Sequence, residues 1–255
     1  MDLHLPTTGL DRYKSASQRA RIGTESWGAT NFFCPACESP RLRSAPQGTA
    51  AIDYVCPSCD SLFQLKSQSK PLGSRIIDAD YSEMKRAILE DRTPNLFVLH
   101  YDRDTWVVRT VLLVPHFAFT LSTLEKRPPL APTARRAGWV GCNIVLDTIP
   151  MHARISVVSE GSPHTPREVR RSFNRLRPLE KLQLEKRGWT LDVLQVVQSL
   201  GKVEFTLADV YAHTHDLAKL HPQNAHIPEK IRQQLQVFRD LNLLEFLSPG
   251  SYRLA

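Results

Sequence analysis

The stretch Asp53-Tyr-Val-Cys56-Pro-Ser-Cys59-Asp-Ser-Leu-Phe-Gln64-Leu-Lys66 decides how this chain reads, because it interleaves two kinds of chemistry. Cys56 and Cys59 form one Cys-x-x-Cys pair, and 18 residues separate it from a second pair, Cys34 and Cys37. That is a zinc-ribbon spacing. Two disulfides are the alternative, but they need an oxidising compartment to which nothing else in the sequence points. Four thiolates close a zinc tetrahedron and leave no open position for substrate, so the expected metal is structural. The fifth cysteine, Cys142 in Gly-Cys-Asn, reads as an ordinary buried thiol.

The residues flanking the second pair carry a different pattern. On an extended strand, side chains two residues apart share a face, so Gln64 and Lys66 point one way while Phe63 and Leu65 point into the core. Asp53 interrupts an otherwise apolar Ala-Ala-Ile-Asp-Tyr-Val run and can come alongside from the paired strand. Oxygen donors grouped beside a fixed positive charge suit a hard cation and a developing anion. The arrangement resembles nucleases of the PD-(D/E)xK type, in which two acids bind magnesium and the lysine helps activate water. Taken alone, the Asp-x10-(Glu/Gln)-x-Lys spacing is a weak pattern, and the bland alternative is that Asp53 lies on the solvated face of an edge strand.

A chain of 255 residues with 42% hydrophobic content can bury a real core, in one large domain or two modest ones. Its 33 Lys and Arg against 26 Asp and Glu, a formal charge of +7, favour an anionic partner, with nucleic acid leading. No apolar run approaches the ~20 residues that span a bilayer, and the N-terminus lacks a secretory pattern, so the expectation is a soluble cytoplasmic protein.

Residues 10 to 27 suit an amphipathic helix, followed by strands near 49–55, 61–66, 95–101, 106–115 and 154–159, with a helix near 79–91. A mixed sheet with flanking helices follows from that order. From Glu160 to Arg187, basic side chains outnumber acidic ones, which fits either a solvated linker or a segment tracking phosphates. After Trp189, three helices (an apolar stripe from Leu191 to Leu200, a helix capped by Thr206, a third from about Pro228) precede a hairpin over Leu244 to Leu254. Such a series is a winged helix, whose third helix enters the major groove. His226, Lys230, Arg232, Gln233 and Gln234 are expected on its reading face, with amides suited to base edges.

The run from Arg127 to Asn143 (Arg-Pro-Pro-Leu-Ala-Pro-Thr-Ala-Arg-Arg-Ala-Gly-Trp-Val-Gly-Cys-Asn), the cysteine pairs around Asp53, Thr24-Glu-Ser-Trp27 and Glu229-Lys-Ile-Arg-Gln-Gln-Leu-Gln236 resemble the DpnI family. Those restriction endonucleases cut GATC only when its adenine is methylated. The resemblance covers essentially the whole chain. It implies a monomeric enzyme, with a PD-(D/E)xK nuclease core and an embedded four-cysteine zinc site in residues 1–183 and a DNA-binding winged helix in residues 184–255.

It further implies catalytic roles for Asp53, Gln64 and Lys66, with Asp53 and Gln64 holding magnesium, and double-stranded DNA as partner. Gln64 stands where the family has Glu. An amide offers a cation one oxygen but no charge, so lower affinity and a preference for manganese are expected, with Glu25 as a partial substitute. Trp139, beside Arg135 and Arg136, suits a pocket for the N6-methyl group, and Arg127 with the following prolines stiffens that basic loop. Two rivals remain open: a methylation reader that no longer cuts, and a zinc-ribbon transcription factor with an accidental Asp53/Lys66 pair.

Overall fold

A computed structural model describes residues 1–46, 48–49 and 51–255. Its strands are β1 (Arg43–Ser44), β2 (Tyr54–Val55), β3 (Leu62–Gln68), β4 (Arg75–Asp80), β5 (Asn95–Asp102), β6 (Val107–Val114), β7 (Leu124–Lys126), β8 (Gly141–Val145), β9 (Ile155–Ser159), β10 (Ser162–Pro163), β11 (Glu204–Thr206), β12 (Leu244–Ser248) and β13 (Ser251–Leu254). The helices are α1 (Ala16–Asn31), α2 (Tyr81–Leu89), α3 (Pro166–Leu176), α4 (Leu184–Ser199), α5 (Leu207–Tyr211), α6 (Thr214–Leu220) and α7 (Ile227–Asp240). None of the described helices is long and apolar enough to cross a membrane.

The central sheet runs β1-β2-β3-β5-β6-β9-β10. Only β3 and β5 pair in parallel there, which requires a crossover, and the chain supplies one through β4 and α2. Strand β5 is buried along nearly its whole length, as expected of a strand with both faces covered. Helix α1 packs on one face: Trp27 and Phe32 meet edge-on, and Phe32 stacks on Phe97 of β5 at 3.9 Å between centroids, with Phe63 of β3 next to Phe97. Phe63 and Phe97 are fully or almost fully buried, so the face opposite to Gln64 and Lys66 anchors the strand.

Several elements differ from the sequence expectation. The helix over 10–27 begins only at Ala16, after a separate 3-10 turn at Leu10–Arg12. Of the strand over 49–55, Ala50 lies outside the described residues and only Tyr54–Val55 is strand; Ala51 takes a left-handed backbone (φ 58°) that an extended ladder cannot accommodate. A second sheet, β4-β8-β7, has no counterpart in the sequence reading, which placed the start of α2 inside β4. The basic segment after Glu160 is a packed helix rather than a linker. Its Thr165 caps α3 reciprocally with Glu168, and Val169, Phe173 and Leu176 are buried.

The C-terminal helices and the sheet β11-β13-β12 form a winged helix. Its second helix is broken into α5 and α6 by a turn in which the His213 N–H bonds back to Val210. The hairpin turn places Gly250 at φ 77°, a glycine conformation. Helix α4 ties this unit to the preceding part of the chain: Arg187, 1% exposed, pairs with Asp91 after α2, and Asp192 accepts from Ser122 at 2.8 Å and contacts His221 Nε2 at 2.9 Å.

Helical glycines separate packing from propensity. A Cβ on Gly28 would stand 2.3 Å from the Tyr54 hydroxyl and 2.8 Å from Phe32, whereas one on Gly188 meets nothing closer than Thr120 at 4.0 Å. Chemical denaturation should therefore show Gly28→Ala destabilising by about 1–3 kcal/mol, while Gly188→Ala is neutral or stabilising by up to about 1 kcal/mol. Equal effects at the two positions would contradict this packing.

Candidate metal centre and active site

The four cysteines converge. The loop after α1 folds back through a Cys34 N–H to Ser39 carbonyl bond of 3.2 Å, and the second loop through Cys56 N–H to Ser61 at 2.9 Å, with Asp60 at φ 57°. All four Sγ atoms lie within 4.8 Å of one another, with Cys34 and Cys59 at 3.6 Å and Cys37 and Cys56 at 3.5 Å. Sulfurs about 2.3 Å from a tetrahedral zinc stand roughly 3.8 Å apart, so the cage fits that ion, and all four cysteines are free thiols. The N–H groups of Ser39 and Ser58 point at Cys37 and Cys56 Sγ, at 3.5 and 3.4 Å, bonds that stabilise thiolate charge. Two arginines hold the first loop from outside: Arg170 donates to the Cys34 and Ser39 carbonyls, both at 3.1 Å, and Arg177 to Ala36 at 3.2 Å. These two side chains of the basic segment, read from sequence as either solvated or tracking phosphates, are thus engaged by the cysteine loop.

The knuckle is also the turn between β2 and β3. Tyr54 pairs with Phe63 and Val55 with Leu62, and the Asp53 N–H bonds the Phe63 carbonyl at 2.8 Å, which sets Asp53 across from Gln64. One Asp53 oxygen, Oδ2, accepts from the Leu65 N–H at 2.7 Å; Oδ1 has no hydrogen-bond partner among the described residues. Gln64 is 8% exposed, and Lys66 is half-buried, with Nζ 2.5 Å from Asp78 Oδ1 of β4. Beneath them, the Tyr54 hydroxyl donates to the Glu25 carbonyl at 2.8 Å; burial first, then the charges of Asp53 and Glu25, push its phenol well above the usual range. Glu25, proposed from sequence as a substitute acid, has its carboxylate engaged by Arg21 at 2.7 Å. The Cys142 thiol is pushed up to about 11, chiefly by burial and then by the charge of Asp78, which suits an unreactive core thiol.

Gln64 and Asp78 line an open cavity of about 800 Å³, together with Asp80, Glu83, Asn95 and His116. Among the described residues, the four cysteines are the only cluster of three or more His, Cys, Asp or Glu at ligand spacing. Asp53 and Lys66 are not among the residues lining that cavity; a divalent cation between the paired positions 53 and 64 would draw on the Asp53 carboxylate, the Gln64 amide oxygen and water, an oxygen set that fits magnesium or manganese. Asp78 was missed from sequence, because its strand pairs only with distant partners and begins beside a helix signal.

The model of the Dam-replacing family, DpnI, matches residues 1–182, and that of the Dam-replacing HTH domain, DpnI_C, matches residues 185–254. The chain belongs to the DpnI family. Membership implies methylation-dependent restriction by an endonuclease that binds DNA, with a helix-turn-helix in its C-terminal part.

In this DpnI-family chain the candidate reading residues fall in two places. Arg127, Arg135, Arg136 and Trp139 belong to a loop extending the β7–β8 hairpin, closed by Leu130 N–H to Trp139 and Gly138 N–H to Leu130 bonds of 2.9 and 3.1 Å. Trp139 is half-buried, with the Arg136 guanidinium 4.6 Å from its ring centroid. His226, the residue just before α7, and Arg232 and Gln233 on it are exposed, and Arg232 donates to the Tyr211 hydroxyl at 2.8 Å. Lys230 is half-buried over Trp189. Gln234, expected outward, is fully buried and accepts from Thr190 at 2.8 Å. It lies three residues after Ile231 and four before Phe238, on the core-facing stripe of the helix.

Elemental analysis of the purified chain should give about one zinc per molecule, and Cys37→Ser should lose it together with cooperative unfolding. Protein free of metal, with its four thiols unreactive before reduction, would instead mean disulfides.

Proposed function

We propose that the chain cleaves double-stranded DNA at GATC containing 6-methyladenine, by metal-dependent hydrolysis of the phosphodiester, acting as a monomer. The observation that carries this reading is the register of the β2–β3 hairpin, which sets Asp53 across from Gln64 with Lys66 one pleat further along. Asp53 Oδ1 and the Gln64 amide oxygen would hold magnesium or manganese. When bound, the ion supplies Lewis-acid polarisation of the phosphate and of the attacking water. Lys66 presents a fixed ammonium to the charge that develops on phosphorus-bound oxygens. Water oxygen forms the new bond to phosphorus as the bond to the leaving sugar oxygen breaks, and its proton passes to solvent or a phosphate oxygen.

Methylation replaces one amine hydrogen of adenine with an apolar bump in the major groove. Trp139 supports reading of that methyl because its half-buried ring offers an apolar face held in place by Arg136. Exposed Arg135 suits a phosphate or guanine, while His226, Arg232 and Gln233 on α7 would supply a second, separate reading.

A second reading, a methylation reader that no longer cuts, is favoured by the neutral Gln64 and by the engagement of Lys66 with Asp78. Zinc-loaded protein incubated with plasmid from methylating and non-methylating hosts separates the two. Cleavage of methylated plasmid alone is expected, faster in manganese than in magnesium, with Gln64→Glu raising the magnesium rate by about tenfold or more. Intact DNA in both metals, with a gel shift for methylated plasmid only, would replace the enzyme by the reader.

A further inference from the structure

The small sheet delivers an additional acid to the catalytic strand. Along β4 and β8, Ile77 faces Asn143 but Asp80 faces Gly141, so Asp78 and Ala79 together oppose the single residue Cys142. A bulge of this kind re-aims the side chain it contains. Asp78 is turned inward, its side chain 2% exposed, with Oδ1 2.5 Å from Lys66 Nζ. That contact lacks hydrogen-bond geometry, and Oδ1 has no hydrogen-bond partner among the described residues. A buried carboxylate is costly unless a cation and hydrogen bonds compensate it; Asp78 lines the same cavity as Gln64, and among the described residues its Oδ1 has the Lys66 ammonium as a charged partner but no hydrogen bond.

Of the other acids around that cavity, Asp60 is exposed in the turn after Cys59, and the rest are committed. Asp80 caps α2, accepting from the Ser82 and Glu83 N–H groups at 2.8 and 3.2 Å; Glu83 pairs with Arg86, Asp91 with Arg187, and Glu180 contacts His116 at 3.1 Å. Asp78 is set apart by burial and by its contact with the lysine of the proposed catalytic set.

We infer that Asp78 supplies the second carboxylate of the cation site, restoring the negative charge that the amide at position 64 lacks. The inference rests on the reading of Asp53 and Gln64 as cation ligands. Lys66 and a divalent cation are alternative counter-ions for the same carboxylate: as Asp78 turns to the cation, the Lys66 ammonium is released toward the phosphate. Position 64 can then be an amide without emptying the site of charge.

Manganese binding to the full zinc-loaded chain, followed without DNA through the electron paramagnetic resonance signal of free Mn2+, tests this independently of cleavage. Asp78→Asn should weaken binding by about tenfold or more, as loss of a charged ligand does. Removing Asp78 also leaves Lys66 uncompensated, which would repel a cation without any ligation being lost, so the decisive comparison is made in the Lys66→Met background. There Asp78→Asn should again weaken binding about tenfold; unchanged binding there would reduce Asp78 to a counter-ion of Lys66 and overturn the inference. The double variant removes both charges of the pair, so it also serves if Asp78→Asn alone unfolds. Binding indifferent to Asp53→Asn would overturn the underlying cation-site reading, whereas loss on Asp53→Asn without loss on Lys66→Met/Asp78→Asn would overturn the role of Asp78 alone.

Discussion

Cys56 follows β2 directly and Cys59 stands three residues before β3, so four sulfurs drawn to one point fix the loop between the two strands. The register of the strands follows from that loop. Asp53, one residue before β2, and Gln64 and Lys66 of β3 face each other only at this pairing; a slip by one residue would send Gln64 and Lys66 into the face where Phe63 packs on Phe97. With only two paired residues in β2, the ladder is too short to specify its own register. Zinc coordination, worth about 10 kcal/mol or more in small metal-organised folds, is far larger than two cross-strand pairs.

The cage in turn depends on the helix that follows the nuclease sheet. Arg170 and Arg177 donate to carbonyls of the first cysteine loop, across more than a hundred residues of sequence. The cysteine cluster, the β2–β3 hairpin and α3 thereby form one connected unit, and α4 continues from it into the winged helix through Arg187 and Asp192.

Much of this could be read from residues whose signals are local. Two Cys-x-x-Cys pairs mark a metal loop regardless of context, the alternation of Phe63, Leu65 against Gln64, Lys66 marks a strand with one buried face, and an acid interrupting an apolar run marks Asp53. What escaped depends on distant partners. Strand β4 is short and meets its partner β8 only across a long stretch of sequence, so Asp78 gave no signal of its own beyond an alternating Ile-Ile-Asp-Ala-Asp stretch that merges into the cap of α2. Gln234 was misplaced because amides on a helix look outward by composition, while its position between Ile231 and Phe238 puts it on the core side. The basic segment read as either a solvated linker or a phosphate-tracking stretch because a sequence shows the charge of Arg170 and Arg177 but not the carbonyls that engage it.

The central claim is that one hairpin holds two different metal environments, a sulfur cage that sets register and an oxygen site beside it that does chemistry. Anomalous diffraction from crystals of the zinc-loaded chain grown with manganese tests it most directly, because the two ions are distinguished by their absorption edges. The expected result is a zinc peak among Cys34, Cys37, Cys56 and Cys59 and a separate manganese peak against Asp53 and Gln64. Manganese bound elsewhere, or a cysteine cage without zinc around an unchanged β2–β3 register, would contradict it.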